Sequence, residues 1–343
     1  MTSARFDRAA NDLPILDTDS GPSETLGRHY EADEDLQDAV NAALILGRPL
    51  LVSGPPGCGK THLGYAIARK MGIQKVRFFS VKSTSEARDL FYAYDALTRF
   101  QEAQIATAQR VTSRAPRLRG AKEFIEYRAL GAAILDAHPA EDVAHLQAGA
   151  YRHPGEPRRS VVIIDEIDKA IRDFPNDLLD EIDRMRFRVP ELMLAARDKG
   201  VAPLGEIKTE NRPIVVITSN SEAQLPDPFL RRCVFARIEF PKDDEKGREK
   251  LDQIVVNALA GTVEKPETPF AGVVKMLFAF LERAPRYSPG LAELIDAARI
   301  VADLQGDTSL SPEKRLERAG SALVKNPDDR EHFKTLDFAS FLK

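Results

Sequence analysis

Apolar positions along the chain fall into two regimes that meet near Pro241. Before it, short unbroken apolar runs alternate with stretches of helical spacing. After it, only helical spacing remains. Leu36, Val40, Ala43 and Leu44 share one helical face from Asp33 onward, and Gly47 stops that helix. Pro49-Leu50-Leu51-Val52 reads as a short buried strand. The following helix turns Leu63, Ile67 and Met71 inward and has Gly72 just past its end. Val76-Arg77-Phe78-Phe79-Ser80-Val81 is the next strand. Val161-Val162-Ile163-Ile164 and Ile214-Val215-Val216-Ile217 are continuous apolar runs, the pattern of strands covered by helices on both faces of a parallel sheet. Phe235 to Phe240 alternates and ends at Pro241. Residues 83–158 carry mainly helical patterns, broken near Pro116, Gly120 and Pro139.

Beyond Pro241 the spacing predicts helices over about 244–260, 270–283, 289–304, 311–325 and 330–342. The fold class is therefore α/β with a parallel sheet flanked by helices, followed by an all-helical domain. Three segments are expected: a flexible acidic arm over 1–28, an α/β core over 29–241, and a helical domain over 242–343. The arm is assigned because 1–28 contains Pro14, Gly21 and Pro22 among scattered Asp and Ser, with no apolar period.

Composition narrows the class. The 343 residues are 43% hydrophobic and 30% charged, with net charge −4. That balance suits a globular domain and excludes a globally basic coat for nucleic acid, though not a local basic groove. Residues 1–40 hold ten acids against three basic residues, a net of −7, which leaves +3 for the remainder. Residues 103–122 hold Arg110, Arg114, Arg117, Arg119 and Lys122 without an acid: a solvated face, or a contact for a subunit, an acidic partner or nucleic acid. Two cysteines, Cys58 and Cys233, make no disulfide framework, so a cytoplasmic location is expected. No apolar run approaches the ~20 residues of a membrane span, and the N-terminus has no stretch fit for a signal peptide.

The chemistry concentrates at four places. Gly54-Pro55-Pro56-Gly57-Cys58-Gly59-Lys60-Thr61 matches G-x-x-x-x-G-K-[ST] between a strand and a helix. Glycines let successive N–H groups curl around phosphate, the helix adds its positive end, Lys60 reaches the β- and γ-phosphates, and the Thr61 hydroxyl suits Mg²⁺. The binding segment is carried through His62. Cys58 reads as a small spacer, with a redox-sensing thiol as the alternative. Asp165 and Glu166 end the run 161–164 at the strand's carboxyl end, where α/β sheets bind ligands. Asp165 suits Mg²⁺, and Glu166 suits orienting or deprotonating water. Asp168 and Lys169 follow as structural or intersubunit residues. Asn220 stands beyond the strand 214–217, able to meet a γ-phosphate or water, although turn chemistry also places Asn there. Arg231 and Arg232 follow Leu225-Pro226-Asp227-Pro228-Phe229-Leu230, and guanidinium suits developing phosphoryl charge. A surface ion pair is the alternative.

GPPGCGKT, VVIIDEID, ITSN and PDPFLRRCVF, in that order, resemble the Walker A, Walker B, sensor-one and arginine-finger elements of the AAA+ ATPases. LPDPFLRRCVF with IEFP is most similar to the MoxR-like branch. The likeness spans about 30–300 and is strongest through 241. It implies sheet order 5-1-4-3-2, and ATP with Mg²⁺ at the interfaces of a homo-oligomeric, usually hexameric ring. It implies Glu166 as catalytic base, Asn220 as sensor one, and Arg232 as a finger acting on the neighbouring subunit, with Arg231 assisting. It further implies remodelling of a partner protein together with a separate von Willebrand A-domain protein. A nucleic-acid motor or a GTP-using restriction-type subunit is the alternative. Insertions are expected in Ser83–Ala103 and Arg186–Arg212, with Phe91 and Tyr92 either facing a pore or packing as core. One element departs: where the family has Ala/Ser-Pro-Arg, this chain has Ser288-Pro289-Gly290, with Arg286 close by.

Overall fold

The computed structural model describes residues 6, 14–109, 119–171, 174–195, 207–221, 225–259 and 270–342. The chain divides into two compact units. One comprises residues 1–28, 33–53 and 63–236; the other comprises 29–32, 54–62 and 237–343.

In the first unit, β1 (Leu16–Thr18) and β2 (Gly21–Ser23) pair antiparallel as a hairpin. Helix α1 (Glu34–Leu46) begins where the Asp33 carboxylate accepts the Leu36 N–H, and ends at left-handed Gly47. β3 (Leu50–Ser53), α2 (Lys60–Lys70) and β4 (Val76–Ser80) follow. An excursion then runs through β5 (Tyr92–Tyr94), α3 (Ala96–Gln109), β6 (Ile125–Tyr127), α4 (Ala129–Ala137) and α5 (Ala140–Val143). β7 (Val161–Asp165) returns to the sheet. Short helices α6 (Phe174–Asp177), α7 (Leu179–Arg184) and α8 (Pro190–Ala195) lead on to β8 (Ile214–Ser219), α9 (Asp227–Leu230) and β9 (Val234–Arg237).

The five-stranded parallel sheet has order β4-β7-β8-β3-β9, which is the expected 5-1-4-3-2 counted along the chain. β3 pairs parallel with β8, β8 with β7, and β7 with β4. Every residue of β3 and β8 is buried, as are Val161 to Ile164 of β7. Each such aliphatic side chain contributes about 1.5–3 kcal/mol on leaving water. The register sets Ser80 beside Asp165, Ile164 beside Ile217, and Ser53 beside Ser219. The polar ends of four strands thus share the carboxyl edge.

Several sequence readings change, and one left open is decided. Residues 14–28, read as part of an arm, carry the β1–β2 hairpin. Arg69 of α2 donates from Nε to Leu26 O at 2.6 Å, from Nη1 to Pro14 O at 2.5 Å and from Nη2 to Ser23 O at 2.9 Å. Strands of three residues are too short to leave an alternating signal. For the same reason the hairpin of β5 and β6 is hidden in a helical-looking stretch. Phe91 and Tyr92 do not face a pore: both are buried, Phe91 stacks on Phe187 at 5.3 Å, and the Tyr92 hydroxyl donates to Glu191 at 3.0 Å. The insertion expected over Arg186–Arg212 contains α8 and a 3₁₀ turn at Thr209–Asn211, with 196–206 outside the described residues. Of the basic stretch, Arg110, Arg114 and Arg117 also lie outside them. Arg119 pairs with Glu102 and lies over the Phe124 ring.

The second unit is built on α10 (Glu245–Leu259), α11 (Phe270–Leu281), α12 (Leu291–Asp303), α13 (Pro312–Leu323) and α14 (Pro327–Lys334). Leu251, Val273, Leu277, Phe280, Leu294 and Leu323 form its apolar core, with Phe333 edge-on to Phe280 at 5.3 Å. β9 stops at Arg237 rather than reaching Phe240, whose ring packs on Phe278 instead. α14 stops short of the expected 342, where the Thr335 hydroxyl donates to His332 O at 2.7 Å.

Arg69 is 2% exposed and serves three carbonyls from the hairpin region. Arg69→Met keeps the apolar stem and strands those acceptors. It should destabilise the chain by about 3 kcal/mol, read by urea denaturation, because hydrogen bonds to charged groups are each worth about 1.5–3 kcal/mol.

Candidate nucleotide site

The glycine-rich loop leaves β3 at Ser53 and becomes α2 at Lys60. Gly54 has φ +158, and a Cβ there would stand 2.4 Å from Ile238 O, so only glycine fits. The buried Lys60 ammonium donates to Gly54 O and Pro55 O, both at 2.8 Å, closing the loop on itself. Pro55, Pro56 and Gly57 are exposed, Gly59 and Thr61 half-buried, and His62 exposed on the first turn of α2. Cys58 is buried. Burial raises its thiol pKa, against the opposing pull of Lys60. The spacer reading fits that environment; a thiolate sensor does not.

Asp165 ends β7, and its neighbour across the sheet is Thr218 of β8. The Thr218 hydroxyl donates to Asp165 Oδ1 at 2.8 Å and accepts the Glu166 N–H at 2.9 Å. Thr218 is 0% exposed, so one buried hydroxyl orients the candidate metal carboxylate and the backbone of the candidate base. Glu166 is left-handed, φ 59 and ψ 51, an uncommon conformation for a non-glycine residue. Such strain costs on the order of 1–3 kcal/mol and concentrates at functional sites. The Glu166 carboxylate pairs with Lys169 one 3₁₀ turn on. Asn220 donates its backbone N–H to Asp168 Oδ1 at 2.9 Å.

Sequence reasoning gave Thr218 no role of its own and read Asp168 and Lys169 as structural or intersubunit. The missed signal at Thr218 was a hydroxyl directly after the apolar run 214–217 and still within the strand, since a buried hydroxyl needs partners. Asp168 ties the loop after β7 to the loop after β8.

Arg231 and Arg232 follow α9, and with Asp227 and Pro228 they line a surface cleft. Arg231 is exposed. Arg232 donates from Nε to Asp183 Oδ2 at 2.7 Å, with its side chain 45% exposed. An exposed pair of this kind is worth up to about 1 kcal/mol, so Arg232 can leave Asp183 for another anion at small cost. Cys233 beside it is pushed up to about 12 by burial and by Asp183.

A parallel α/β sheet with a phosphate-type loop after one strand and an acidic pair at the carboxyl end of another defines a P-loop nucleotide-binding protein. The family model for the ATPase family associated with various cellular activities (AAA) matches residues 50–242, more than half of the chain, and the chain belongs to that family. No curated relative matches the sequence. Among solved structures, a mutant of Thermotoga maritima RuvB is 16% identical over 87% of this chain and 70% of that one, with a TM-score of 0.45. The FIGL-1 AAA domain in complex with ADP is 14% identical over 95% and 92%, with a TM-score of 0.40. C. elegans PCH-2 is 15% identical over 92% and 75%, with a TM-score of 0.45. No described helix is long and apolar enough to cross a membrane.

Thr218→Val removes both hydrogen bonds without changing shape. It should lower ATP turnover by about 10–100-fold, the usual cost of losing a residue that orients a ligand carboxylate. Thr218→Ser should restore most of it, and a steady-state ATPase assay of both variants reads the difference. Both thiols stay protonated at neutral pH, so iodoacetamide at pH 7.5 should modify neither Cys58 nor Cys233 until the chain is unfolded, as peptide mass mapping would report.

Proposed function

We propose that the chain is a MoxR-like motor that couples ATP hydrolysis to remodelling of a partner protein. The reading is carried by Asp165 and Glu166, held by one buried hydroxyl at the carboxyl edge of the sheet. The MoxR-like assignment rests on the sequence stretch from Leu225 to Phe235 and on Ile238 to Pro241. The core extends over 29–241 and the helical lid over 242–343.

In this reading the loop 54–61, with His62 behind it, wraps the phosphates of ATP by its backbone N–H groups. Lys60 exchanges Gly54 O and Pro55 O for phosphate oxygens. The hard oxygen donors Thr61 and Asp165 fit Mg²⁺, which takes few protein ligands and keeps water and phosphate as the rest. In this reading the ion would be shared with the phosphates of the nucleotide. Bound there, Mg²⁺ neutralises phosphate charge.

Glu166 turns from Lys169 to water and accepts its proton. Its backbone is held in the left-handed region directly after the strand. Asn220 orients the same water or the γ-phosphate, its loop fixed by Asp168. Arg232, with Arg231 beside it, leaves its exposed pair to meet the γ-phosphate held by a neighbouring copy, which makes a homo-oligomeric ring, hexameric in this reading, the active form. The protein partner is a separate von Willebrand A-domain protein, and the motor works in the cytoplasm.

Glu166→Gln should abolish ATP turnover while leaving binding of a fluorescent ATP analogue within about twofold, because the substitution removes the proton acceptor and keeps the volume. Undiminished turnover would remove Glu166 from the role of base. Native mass measurement with a slowly hydrolysed analogue should show assembly beyond the monomer. DNA binding that weakens steeply with salt would favour a nucleic-acid motor instead.

A further inference from the structure

The start of α12 meets the phosphate loop within the second unit. Gly290 caps α12, buried and extended at φ −108, and its N–H donates to Glu293 Oε2 at 3.0 Å. A Cβ on Gly290 would stand 2.8 Å from Pro56 O and 3.4 Å from Gly57 Cα. A Cβ on Gly57 would in turn stand 3.5 Å from Gly290 Cα and 3.7 Å from Glu293 Oε2. The loop apex and the helix start therefore touch backbone to backbone, and Gly290 has no room for a side chain of any kind. The resemblance places an arginine at this position, and this chain excludes one by packing. Arg286, four residues earlier, is exposed and stands 6.0 Å from the Tyr287 ring.

We propose that Gly290 is a positioning residue for the phosphate loop: α12 buttresses Pro56 and Gly57 by direct backbone contact, and the loop's response to phosphate passes into the lid through that contact. Close-packed backbone transmits a displacement that a flexible side chain would absorb. The Glu293 carboxylate reinforces the arrangement, since it fixes the Gly290 N–H and lies beside the loop apex. A phosphate entering the loop brings negative charge toward that carboxylate, which biases the helix start to shift. The proposal rests on the nucleotide reading of residues 54–61 and adds to it the route by which occupancy reaches the helices.

Gly290→Ala is a clean probe, because φ −108 suits alanine and only the contact is disturbed. Hydrogen exchange on the full wild-type chain, with and without a slowly hydrolysed ATP analogue, should show protection at 54–62 together with a change at 288–295. In Gly290→Ala the change at 288–295 should fall by more than half, and analogue affinity should weaken by about tenfold, the size of ordinary coupling between sites. Gly290→Arg should weaken binding further. Wild-type exchange at both segments in Gly290→Ala, or tighter binding in Gly290→Arg, overturns the proposal. If Gly290→Ala does not fold, the wild-type experiment decides alone: protection confined to 54–62 overturns it. A wild-type chain that binds no analogue sinks the nucleotide reading as well, whereas binding with a silent 288–295 sinks only this proposal.

Discussion

One buried hydroxyl organises the carboxyl edge of the sheet in this protein. Thr218 sits in a strand whose other side chains are almost all aliphatic, 0% exposed, and its oxygen has two partners: Asp165 Oδ1 and the Glu166 N–H. A hydroxyl in that position must be satisfied or it costs the sheet a few kcal/mol. It is satisfied only when β7 and β8 keep the register that sets Ile164 beside Ile217. Packing and chemistry therefore demand the same alignment. A slip of one residue would separate the Thr218 hydroxyl from Asp165 and the Glu166 N–H and leave it buried without those partners.

Above that rigid base, the groups that would act on a substrate are held loosely. Glu166 is paired with Lys169 on a half-exposed turn, and Arg232 with Asp183 at the surface. Exposed ion pairs contribute little to stability and can be exchanged for a ligand at little cost. Asp165 and the backbone of Glu166, by contrast, are bound to a buried side chain. Rigid support beneath and exchangeable partners at the tip is the division expected where charge must be met quickly but geometry must not drift.

The phosphate loop obeys a different constraint. Gly54 lies against Ile238 O and Gly290 against Pro56 O, in each case with backbone where the glycine's side chain would otherwise stand. These contacts are made by residues on the far side of the chain in sequence, and all belong to the same compact unit as the loop. The loop's shape is thus decided by steric exclusion as much as by its own turns, and Lys60 holds it from within.

The residue pattern alone determined the five sheet strands, the helical second half, the phosphate-binding octapeptide and the acidic pair, because each is a local run whose period or spacing has one physical reading. Long apolar strands and amphipathic helices such as α10 and α12 announce themselves in this way. Three-residue strands do not, and β1, β2, β5 and β6 emerged only with their partners in place. Phe91 and Tyr92 could be core or surface until Phe187 and Glu191 were brought to them from about a hundred residues away. The roles of Thr218 and Asp168, and the glycine at position 290, likewise depend on what stands opposite. Local free energy chooses an element, but only the tertiary structure decides which atoms a buried hydroxyl, a carboxylate or a missing Cβ will face.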